Sequence, residues 1–225
     1  MSCRAIFFDV GGTLLRPWPS VGAVYARVGS RHGIVAEAEE LDRKFRAAWA
    51  SVRALEGGGR SSSKEWWRKV VDAAVPGATD DYFEELYATF ARAEAWRVFD
   101  DVAETLREAR RRGLYVGVIS NWDERLRLLL GAVGLTDWDS ITVSCEVGAE
   151  KPAAEIFLAA LKAAQVPAGE AMHVGDSFAE DVAGAEAAGM RAVLIDREGR
   201  SRNECRTVRD LRELWGFTPS ARVCA

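Results

Sequence analysis

Short apolar runs alternate with amphipathic helical segments through most of the chain, and this alternation constrains the fold more than any other feature. The runs are almost continuously apolar, as expected for strands that helices cover on both faces. Five runs occur, at residues 5–10, 114–120, 141–145, 171–174 and 191–195. Helical segments follow or separate the later runs at 101–111, 123–133, 153–165 and 179–188. The pattern is typical of βαβ units and predicts an α/β fold on a parallel sheet of five strands.

A long stretch between the first and second apolar runs has helical periodicity and no evident strand. The chain has 225 residues, enough for a main domain with a substantial insert at roughly 150 residues per domain. We therefore predict a helical cap domain at 16–97, inserted into a core domain made of 1–15 and 98–225. The helical pieces of the insert lie at 20–32, 36–55, 63–75 and 80–95, interrupted by a glycine-rich loop at 57–63.

Tryptophan is concentrated in and beside this insert. Five of the eight tryptophans of the chain fall there: Trp18, Trp49, Trp66, Trp67 and Trp96. The simplest interpretation is that they pack the small core of the insert. Alternatively, one of Trp66 and Trp67, which stand about 100° apart on a helix, faces a binding groove.

Composition and charge exclude several classes of protein. Thirty Lys and Arg against 34 Asp and Glu leave a net charge of −4, so the chain lacks the basic field that nucleic acids and anionic membranes attract. No uncharged apolar run approaches the ~18 residues that span a bilayer. We expect neither a nucleic-acid nor a membrane partner. The cysteines have no zinc-ligand spacing and predict free thiols in a reducing, cytoplasmic setting; they are Cys3, Cys145, Cys205 and Cys224.

A carboxylate closes the first apolar run, at the edge where open parallel sheets bind ligands. Asp9 ends this run and is followed by Gly11, Gly12 and Thr13. A carboxylate here can act as a nucleophile that forms an aspartyl-phosphate, and small neighbours let backbone N–H groups approach an anion. The alternative is that Asp9 only caps a turn.

Two further segments follow predicted strands. The second run ends in Ser120 and Asn121, whose hydroxyl and amide can donate to phosphate oxygens or begin the next helix. Lys151, which precedes the helix at 153–165, can neutralise a phosphate or a neighbouring carboxylate, although most lysines are only solvated.

Two carboxylates follow the fourth run, in the segment HVGDSFAED. Asp176 comes directly after Gly175, and Asp181 lies five residues further on, in the first turn of the next helix. Together with Asp9 they can converge on a hard divalent cation, and Mg²⁺ fits because it binds through one or two carboxylates, waters and a phosphate. Each carboxylate alone is also favoured at a helix N-terminus by the helix dipole.

Taken in order, these segments resemble the motifs of the haloacid dehalogenase superfamily of hydrolases. The segment DVGGTL at 9–14 is similar to the first motif, Ser120 to the second, Lys151 in EVGAEKP to the third, and GDSFAED at 175–181 to the fourth. Each motif alone is weak, but the ordered set is specific and covers nearly the whole chain. The resemblance implies a Rossmann-like core sheet with strand order 5-4-1-2-3 and a mobile helical cap inserted after the first motif.

The first motif departs from that of the phosphatases in this superfamily, which carry a second Asp two residues after the nucleophile. Gly11 occupies that position here, and the loss of an acid–base group typically lowers the rate by ~10²–10⁴. Activity on unactivated alkyl phosphates is therefore expected to be poor, whereas acyl and aryl phosphates need little protonation. Asp123 is a candidate replacement acid. A branch similar to the human haloacid dehalogenase-like hydrolase domain-containing proteins also lacks this Asp.

The missing acid leaves other functions open. The dehalogenases of the superfamily also lack the second Asp, but they need no metal and usually lack the Gly175-Asp176 pair kept here. The phosphonatases use a cap lysine as a Schiff base, for which the candidates are Lys44, Lys64 and Lys69. A further alternative is a non-catalytic module that binds a phosphorylated ligand or another protein.

The resemblance implies that the chain is a Mg²⁺-dependent phosphohydrolase, and a small phosphorylated substrate is expected. Asp9 is the expected nucleophile, and Ser120 and Lys151 are the expected catalytic partners that bind the phosphoryl group. The expected metal ligands are Asp9, the Gly11 carbonyl, Asp176 and Asp181, and the expected substrate-binding residues are Gly11, Gly12, Thr13 and Asn121. The sequence identifies neither the substrate nor the oligomeric state. It predicts no function for 197–225, beyond a short helix packed on the core.

Overall fold

The computed structural model describes residues 3–55 and 63–216. Within them, strands alternate with helices after residue 97, as the apolar pattern predicts. The strands are β1 (Ala5–Phe8), β2 (Leu15–Pro17), β3 (Trp96–Val98), β4 (Tyr115–Ser120), β5 (Ser140–Val143), β6 (Ala171–Gly175), β7 (Arg191–Ile195) and β8 (Thr207–Val208). The helices are α1 (Val21–Gly29), α2 (Ala38–Leu55), α3 (Lys64–Ala74), α4 (Asp80–Thr89), α5 (Val102–Arg111), α6 (Leu126–Ala132), α7 (Ser144–Val147), α8 (Ala154–Ala164) and α9 (Ala183–Ala187).

The core is a parallel sheet in the order β5-β4-β1-β6-β7-β8. The predicted α/β class is confirmed, and the five predicted strands stand in the order 5-4-1-2-3 when numbered along the chain. Every residue of β1 and β6 is buried, because helices cover both faces of the sheet. Two apolar clusters, one on each side of β1, fill these faces: Ile6 and Phe8 point into one, and Ala5 and Phe7 into the other.

The predicted number of five strands is wrong, because β8 adds a sixth at the edge. The Leu194 amide donates to the Arg206 carbonyl and the Asp196 amide to the Val208 carbonyl, each at 2.8 Å. A two-residue strand beside several arginines has no apolar run that a sequence pattern could reveal. The expected short helix follows as a 3₁₀ turn, Leu211–Trp215, which packs on the core through buried leucines.

The inserted helices have a hydrophobic cluster of their own. The four predicted helical pieces correspond to α1–α4, and side chains cap three of their N-termini: Ser20 accepts from Ala23, Ser63 from Trp66, and Thr79 from Tyr82. Most of the predicted glycine-rich loop, residues 57–62, lies outside the described residues.

A two-stranded antiparallel ribbon links the insert to the core, which corrects the prediction that 16–97 holds no strand. In it Leu15 of β2 pairs with Val98 of β3, and Pro17 pairs with Trp96. Each strand has only three residues and carries an exposed arginine at its centre, so neither shows an apolar run. The ribbon lies where the core and insert are predicted to join, and the division at 15/16 and 97/98 stays a prediction.

Two of the sequence predictions concern membrane-spanning segments and free cysteine thiols. Among the described residues, no helix combines the length and the apolar character that a bilayer crossing requires. Cys3, Cys145 and Cys205 have free thiols, as predicted. Cys224 lies outside the described residues.

Candidate active site

Three parallel strands bring the predicted nucleophile together with its first partners. Phe8 pairs with Val118 of β4 on one side and with Val174 of β6 on the other, so Asp9 emerges at the edge where these strands end. Ser120, the last residue of β4, donates a hydrogen bond from Oγ to Asp9 Oδ1 at 3.0 Å. Sheet register therefore produces this contact between residues 111 positions apart in the chain.

Lys151 lies between two carboxylates at the centre of the site. Its Nζ donates to Asp9 Oδ1 and to Asp181 Oδ1, both at 2.6 Å, and the side chain is buried. Burial acts to lower the pKa of Lys151, but the two carboxylates outweigh it and raise that pKa above its usual range. Burial, opposed by the Lys151 ammonium, raises the pKa of Asp9. Lys151 is thus held as an ammonium beside Asp9, the predicted nucleophile.

Asp181 is held from several directions. Besides the contact with Lys151, its Oδ1 lies 2.8 Å from His173 Nε2, and Oδ2 accepts from the Ser177 amide at 3.0 Å. Burial acts against the charged form, but Lys151 and the His173 hydrogen bond lower the pKa of Asp181. Because a carboxylate can only accept, His173 Nε2 is the donor. The sequence analysis did not single out His173, whose one available signal is a polar residue inside an apolar strand.

Two glycines are required by the packing of these carboxylates. A Cβ on Gly175 would lie 2.1 Å from Asp181 Cγ. Gly12 adopts a φ of +78°, and a Cβ there would lie 2.2 Å from Asp176 Oδ2. Either side chain would displace a carboxylate from the site.

The carboxylates of Asp9, Asp176 and Asp181 form an acidic cluster. Oxygen atoms, one from each, lie within 4.8 Å of one another. Burial by the surrounding cleft, together with the charges of Asp9 and Asp181, raises the pKa of Asp176 to about 8. With all three ionised, Lys151 offsets only one of three negative charges. This arrangement favours a bound cation.

The structure does not bring every predicted substrate-binding residue to the site. Gly11 and Gly12 line the cavity above Asp9, but Thr13 is fully buried and does not. Asn121 lines the cavity, yet its amide already brackets the Lys151 backbone: Oδ1 accepts from the Lys151 amide at 2.7 Å, and Nδ2 donates to the Lys151 carbonyl at 3.0 Å. In this structure Asn121 thus positions Lys151.

A cavity of about 520 Å³ lies between the core and the inserted helices. Arg53 of α2 reaches across it and pairs with Glu180, whose other oxygen accepts from Asn121 at 3.2 Å. Arg125, which also lines the cavity, donates to the Tyr87 carbonyl of α4 at 2.7 Å. These contacts hold the insert against the core. The sequence interpretation did not single out Glu180, although it directly precedes Asp181.

Other predicted candidates do not reach the cavity. Asp123, the candidate replacement acid, is buried and paired with Arg125, and it does not line the cavity. Among the described residues, the only lysine that lines the cavity is Lys151. Lys44 pairs with Glu40, and Lys64 with Glu84, in both cases at the surface. The Schiff-base lysine of a phosphonatase is therefore not found among the described cap residues.

Comparison with known proteins identifies the family. A family model of haloacid dehalogenase-like hydrolases matches residues 3–189. The chain belongs to this family. The hydrolase is 36% identical over 207 residues to the human haloacid dehalogenase-like hydrolase domain-containing protein 3, covering 87% of this chain and 82% of that protein. The resemblance inferred from the four motifs is confirmed.

Solved structures similar to this hydrolase include a phosphatase and a dehalogenase. A crystal structure of a haloacid dehalogenase-type phosphatase from Thermococcus onnurineus is 30% identical, with a TM-score of 0.69 over 94% of this chain and 95% of that chain. A 2-haloacid dehalogenase from Pseudomonas syringae pv. Tomato is 25% identical, with a TM-score of 0.69 over 94% and 96%. The fold and family are therefore compatible with either reaction.

An indole ring lies beside Gly11 in this hydrolase. The nearest atom to a Cβ built on Gly11 would be Trp122 Cζ3, at 3.4 Å. Ser144 holds the Trp122 backbone in place, since its Oγ lies 3.1 Å from both the Trp122 amide and the Trp122 carbonyl. The position beside Asp9 where phosphatases of the family carry an acid thus faces an aromatic ring.

Proposed function

We propose that this hydrolase is a Mg²⁺-dependent phosphohydrolase that acts through an aspartyl-phosphate on Asp9. The observation that carries the proposal is the placement of Lys151 and Ser120 on Asp9 Oδ1, with Asp176 across the same cleft. A buried carboxylate with a permanent cation beside it, at the floor of a cavity, suits attack on a substrate that carries negative charge.

The acidic cluster fits a magnesium ion. Its donors are carboxylate oxygens, which Mg²⁺ prefers, and all three carboxylates line the cavity where a phosphate could complete the coordination. Asp9 and Asp176, with the Gly11 carbonyl, would hold the ion. Asp181 would support them, since both its oxygens already accept hydrogen bonds. When bound, the ion would offset the charge that develops on the phosphoryl oxygens.

The protein's own groups account for the two chemical steps. A carboxylate oxygen of Asp9 attacks phosphorus, and the P–O bond to the organic group breaks with its electron pair on the leaving oxygen. Water then attacks the aspartyl-phosphate, and the bond to Asp9 breaks to regenerate the carboxylate. One proton of the water stays on the phosphate, and the other neutralises the leaving group through solvent. Ser120 and Lys151 orient Asp9 and bind the phosphoryl oxygens in both steps.

The absence of an acid at Gly11 restricts the leaving group. Neither Gly11 nor the adjacent Trp122 ring can protonate the departing oxygen, and Asp123 is engaged by Arg125. We therefore expect turnover of aryl and acyl phosphates and slow turnover of alkyl phosphates. If the wild type turns over no activated phosphate, the alternative function applies, which is a non-catalytic module that binds a phosphorylated ligand or a protein.

Dehalogenation is a second candidate, favoured by the likeness to a 2-haloacid dehalogenase and by the same missing acid. Asp9 would then attack carbon and release halide, without any need for metal. Asp176 argues against it, because a reaction that needs no metal has no use for a third carboxylate beside Asp9 and Asp181.

Hydrolysis of p-nitrophenyl phosphate, with Mg²⁺ or with EDTA, tests the proposal. We expect Mg²⁺-dependent turnover in the wild type and its loss in Asp9→Asn. Asp81→Asn, which changes an exposed carboxylate on α4, is the matched control and should keep wild-type activity. Halide release from 2-chloropropionate in EDTA would support the dehalogenase instead. The absence of turnover on p-nitrophenyl phosphate and acetyl phosphate would contradict the phosphohydrolase.

A further inference from the structure

The cavity has a polar end and an aromatic end, and the proposed phosphoryl chemistry uses only the polar end. Asp9, Ser120 and Lys151 lie at the polar end. The whole space is about 520 Å³. A water molecule occupies ~30 Å³, and small-molecule sites commonly enclose ~300–1,000 Å³. Room therefore remains for an organic group beyond the phosphoryl group.

The inserted helices supply the first half of a continuous row of aromatic rings along the cavity. Trp67 of α3 contacts Trp49 of α2, with ring centroids 5.2 Å apart. Trp49 contacts Phe45 at 5.9 Å, and Phe45 contacts Tyr25 of α1 at 5.9 Å. All four side chains line the cavity. Of Trp66 and Trp67, the structure places Trp67 at the cavity, whereas Trp66 is buried away from it; that Trp67 faces a binding groove stays a prediction.

The second half of the row runs down to the nucleophile. Tyr25 contacts Phe90 at 6.2 Å, Phe90 contacts Trp96 at 5.9 Å, and Trp96 contacts Trp122 at 5.2 Å. These rings also line the cavity, and Trp122 is the ring beside Gly11. We call the row from Trp67 to Trp122 the aromatic wall. It leads from the insert to the place where a leaving group would depart from phosphorus.

Charged groups beside the aromatic wall are largely neutralised. Arg53 is paired with Glu180, and Arg125 is paired with Asp123. Arg46 also lines the cavity, but it is exposed at the surface of α2. The aromatic wall therefore presents ring faces and edges, in place of charges, to an organic group.

We propose that the substrate carries a planar aromatic group that lies along the aromatic wall, so that the substrates are aryl phosphates and aroyl phosphates. The inference rests on the proposed function and narrows its substrate class. Two independent features meet in it. The wall binds an aromatic body by stacking and by removing apolar surface from water. The missing acid at Gly11 requires a leaving oxygen that is stable without a proton, as phenolate and benzoate oxygens are.

Binding of two inert phosphonates tests the wall without any turnover. Phenylphosphonate and methylphosphonate carry the same headgroup and have no ester bond for Asp9 to break. We expect calorimetry on the wild-type protein with Mg²⁺ to give phenylphosphonate an affinity about tenfold or more above that of methylphosphonate. Trp122→Leu, which changes the ring of the wall beside Gly11, should reduce this ratio several-fold. Trp138→Leu, which removes a half-buried tryptophan outside the cavity, should leave it unchanged.

Benzoyl phosphate and acetyl phosphate separate this inference from the proposed function. Their leaving carboxylates are similar in basicity, so a difference in kcat/KM reports on recognition of the ring. We expect about tenfold higher kcat/KM for benzoyl phosphate. Turnover of both with equal kcat/KM, and equal affinity for the two phosphonates, would overturn the aromatic substrate class while leaving the phosphohydrolase intact. Selective binding of phenylphosphonate without turnover of either acyl phosphate would support recognition of the aromatic group and contradict the phosphohydrolase.

Discussion

Replacement of Gly11 by aspartate is expected to restore the ability to hydrolyse alkyl phosphates. The new carboxyl would stand two residues after the nucleophile, where it can protonate a departing alkoxide. A positioned general acid contributes ~10²–10⁴ in rate, or ~2.7–5.4 kcal/mol of barrier. The gain should be large for ethyl phosphate and close to none for p-nitrophenyl phosphate, whose leaving oxygen needs little protonation.

The structure indicates that this side chain can be accommodated at Gly11. Gly11 does not have a positive φ, so its backbone accepts a side chain. Its Cβ would lie 3.4 Å from Trp122 Cζ3, an ordinary contact, although the carboxyl beyond it must find room beside the indole. We therefore expect the gain to lie toward the lower end, near 10². At Gly12 the same substitution would clash with Asp176 and require a φ of +78°, so it should only destabilise the protein.

The assay compares kcat/KM of wild type, Gly11→Asp and Gly11→Asn on ethyl phosphate and p-nitrophenyl phosphate. Asparagine has nearly the shape of aspartate but no acidic proton, so it controls for any steric effect on Trp122. Urea unfolding of the three proteins checks that each is folded. Equal gains in the Asp and Asn variants, or a gain on both substrates alike, would refute the argument that a missing acid limits the enzyme.

Three further outcomes follow from contacts in and around the site. Arg53→Met should raise KM about two- to fivefold, because the partly exposed pair of Arg53 with Glu180 spans the cleft. Arg53→Lys, which keeps the charge, should have a KM close to that of the wild type. Steady-state kinetics measure both values. In metal-free protein, Asp176→Asn should gain stability relative to wild type as pH rises from 3.8 toward 8. Over this range the unfolded wild type ionises Asp176, whereas the folded protein, in which the pKa of Asp176 is raised to about 8, keeps it protonated and so loses stability. Urea unfolding at several pH values measures the difference between the two proteins, and a difference that stays constant with pH would contradict this prediction. Asp101→Asn should lose about 3 kcal/mol in urea unfolding, since its buried carboxylate accepts two hydrogen bonds from Arg197; a loss under about 0.5 kcal/mol would contradict it.

The features that the sequence predicts well are those that depend on local pattern. β1 and β6 are buried along their whole length, so each appears as an uninterrupted apolar run. Polar residues at the ends of such runs must then meet at one edge of the sheet, which is how Asp9, Ser120 and Asp176 could be grouped before their distances were known.

The features that the sequence misses depend on contacts between distant residues. His173 reaches Asp181, and Arg53 reaches Glu180, through the packing of separate elements, and no spacing rule gives such pairs. Asp123 has the right residue type next to the second motif, but a nearby arginine engages it and turns it from the cavity. Residue type and position alone could not distinguish it from an acid that faces the substrate.

The missing acid and one end of the aromatic wall lie side by side at Gly11. A carboxylate at position 11 would place a polar, hydrated group against the Trp122 ring, whereas Gly11 leaves that ring in contact with the cavity. The arrangement therefore removes the group that poor leaving oxygens need and, in the same place, provides a surface that aromatic leaving groups can cover. A site of this kind selects its substrate by the stability of the departing oxygen and by the shape of the group attached to it. Because both criteria act at the leaving group, Gly11→Asp should weaken discrimination by leaving-group basicity while Trp67→Leu, at the far end of the wall, should weaken discrimination by shape alone.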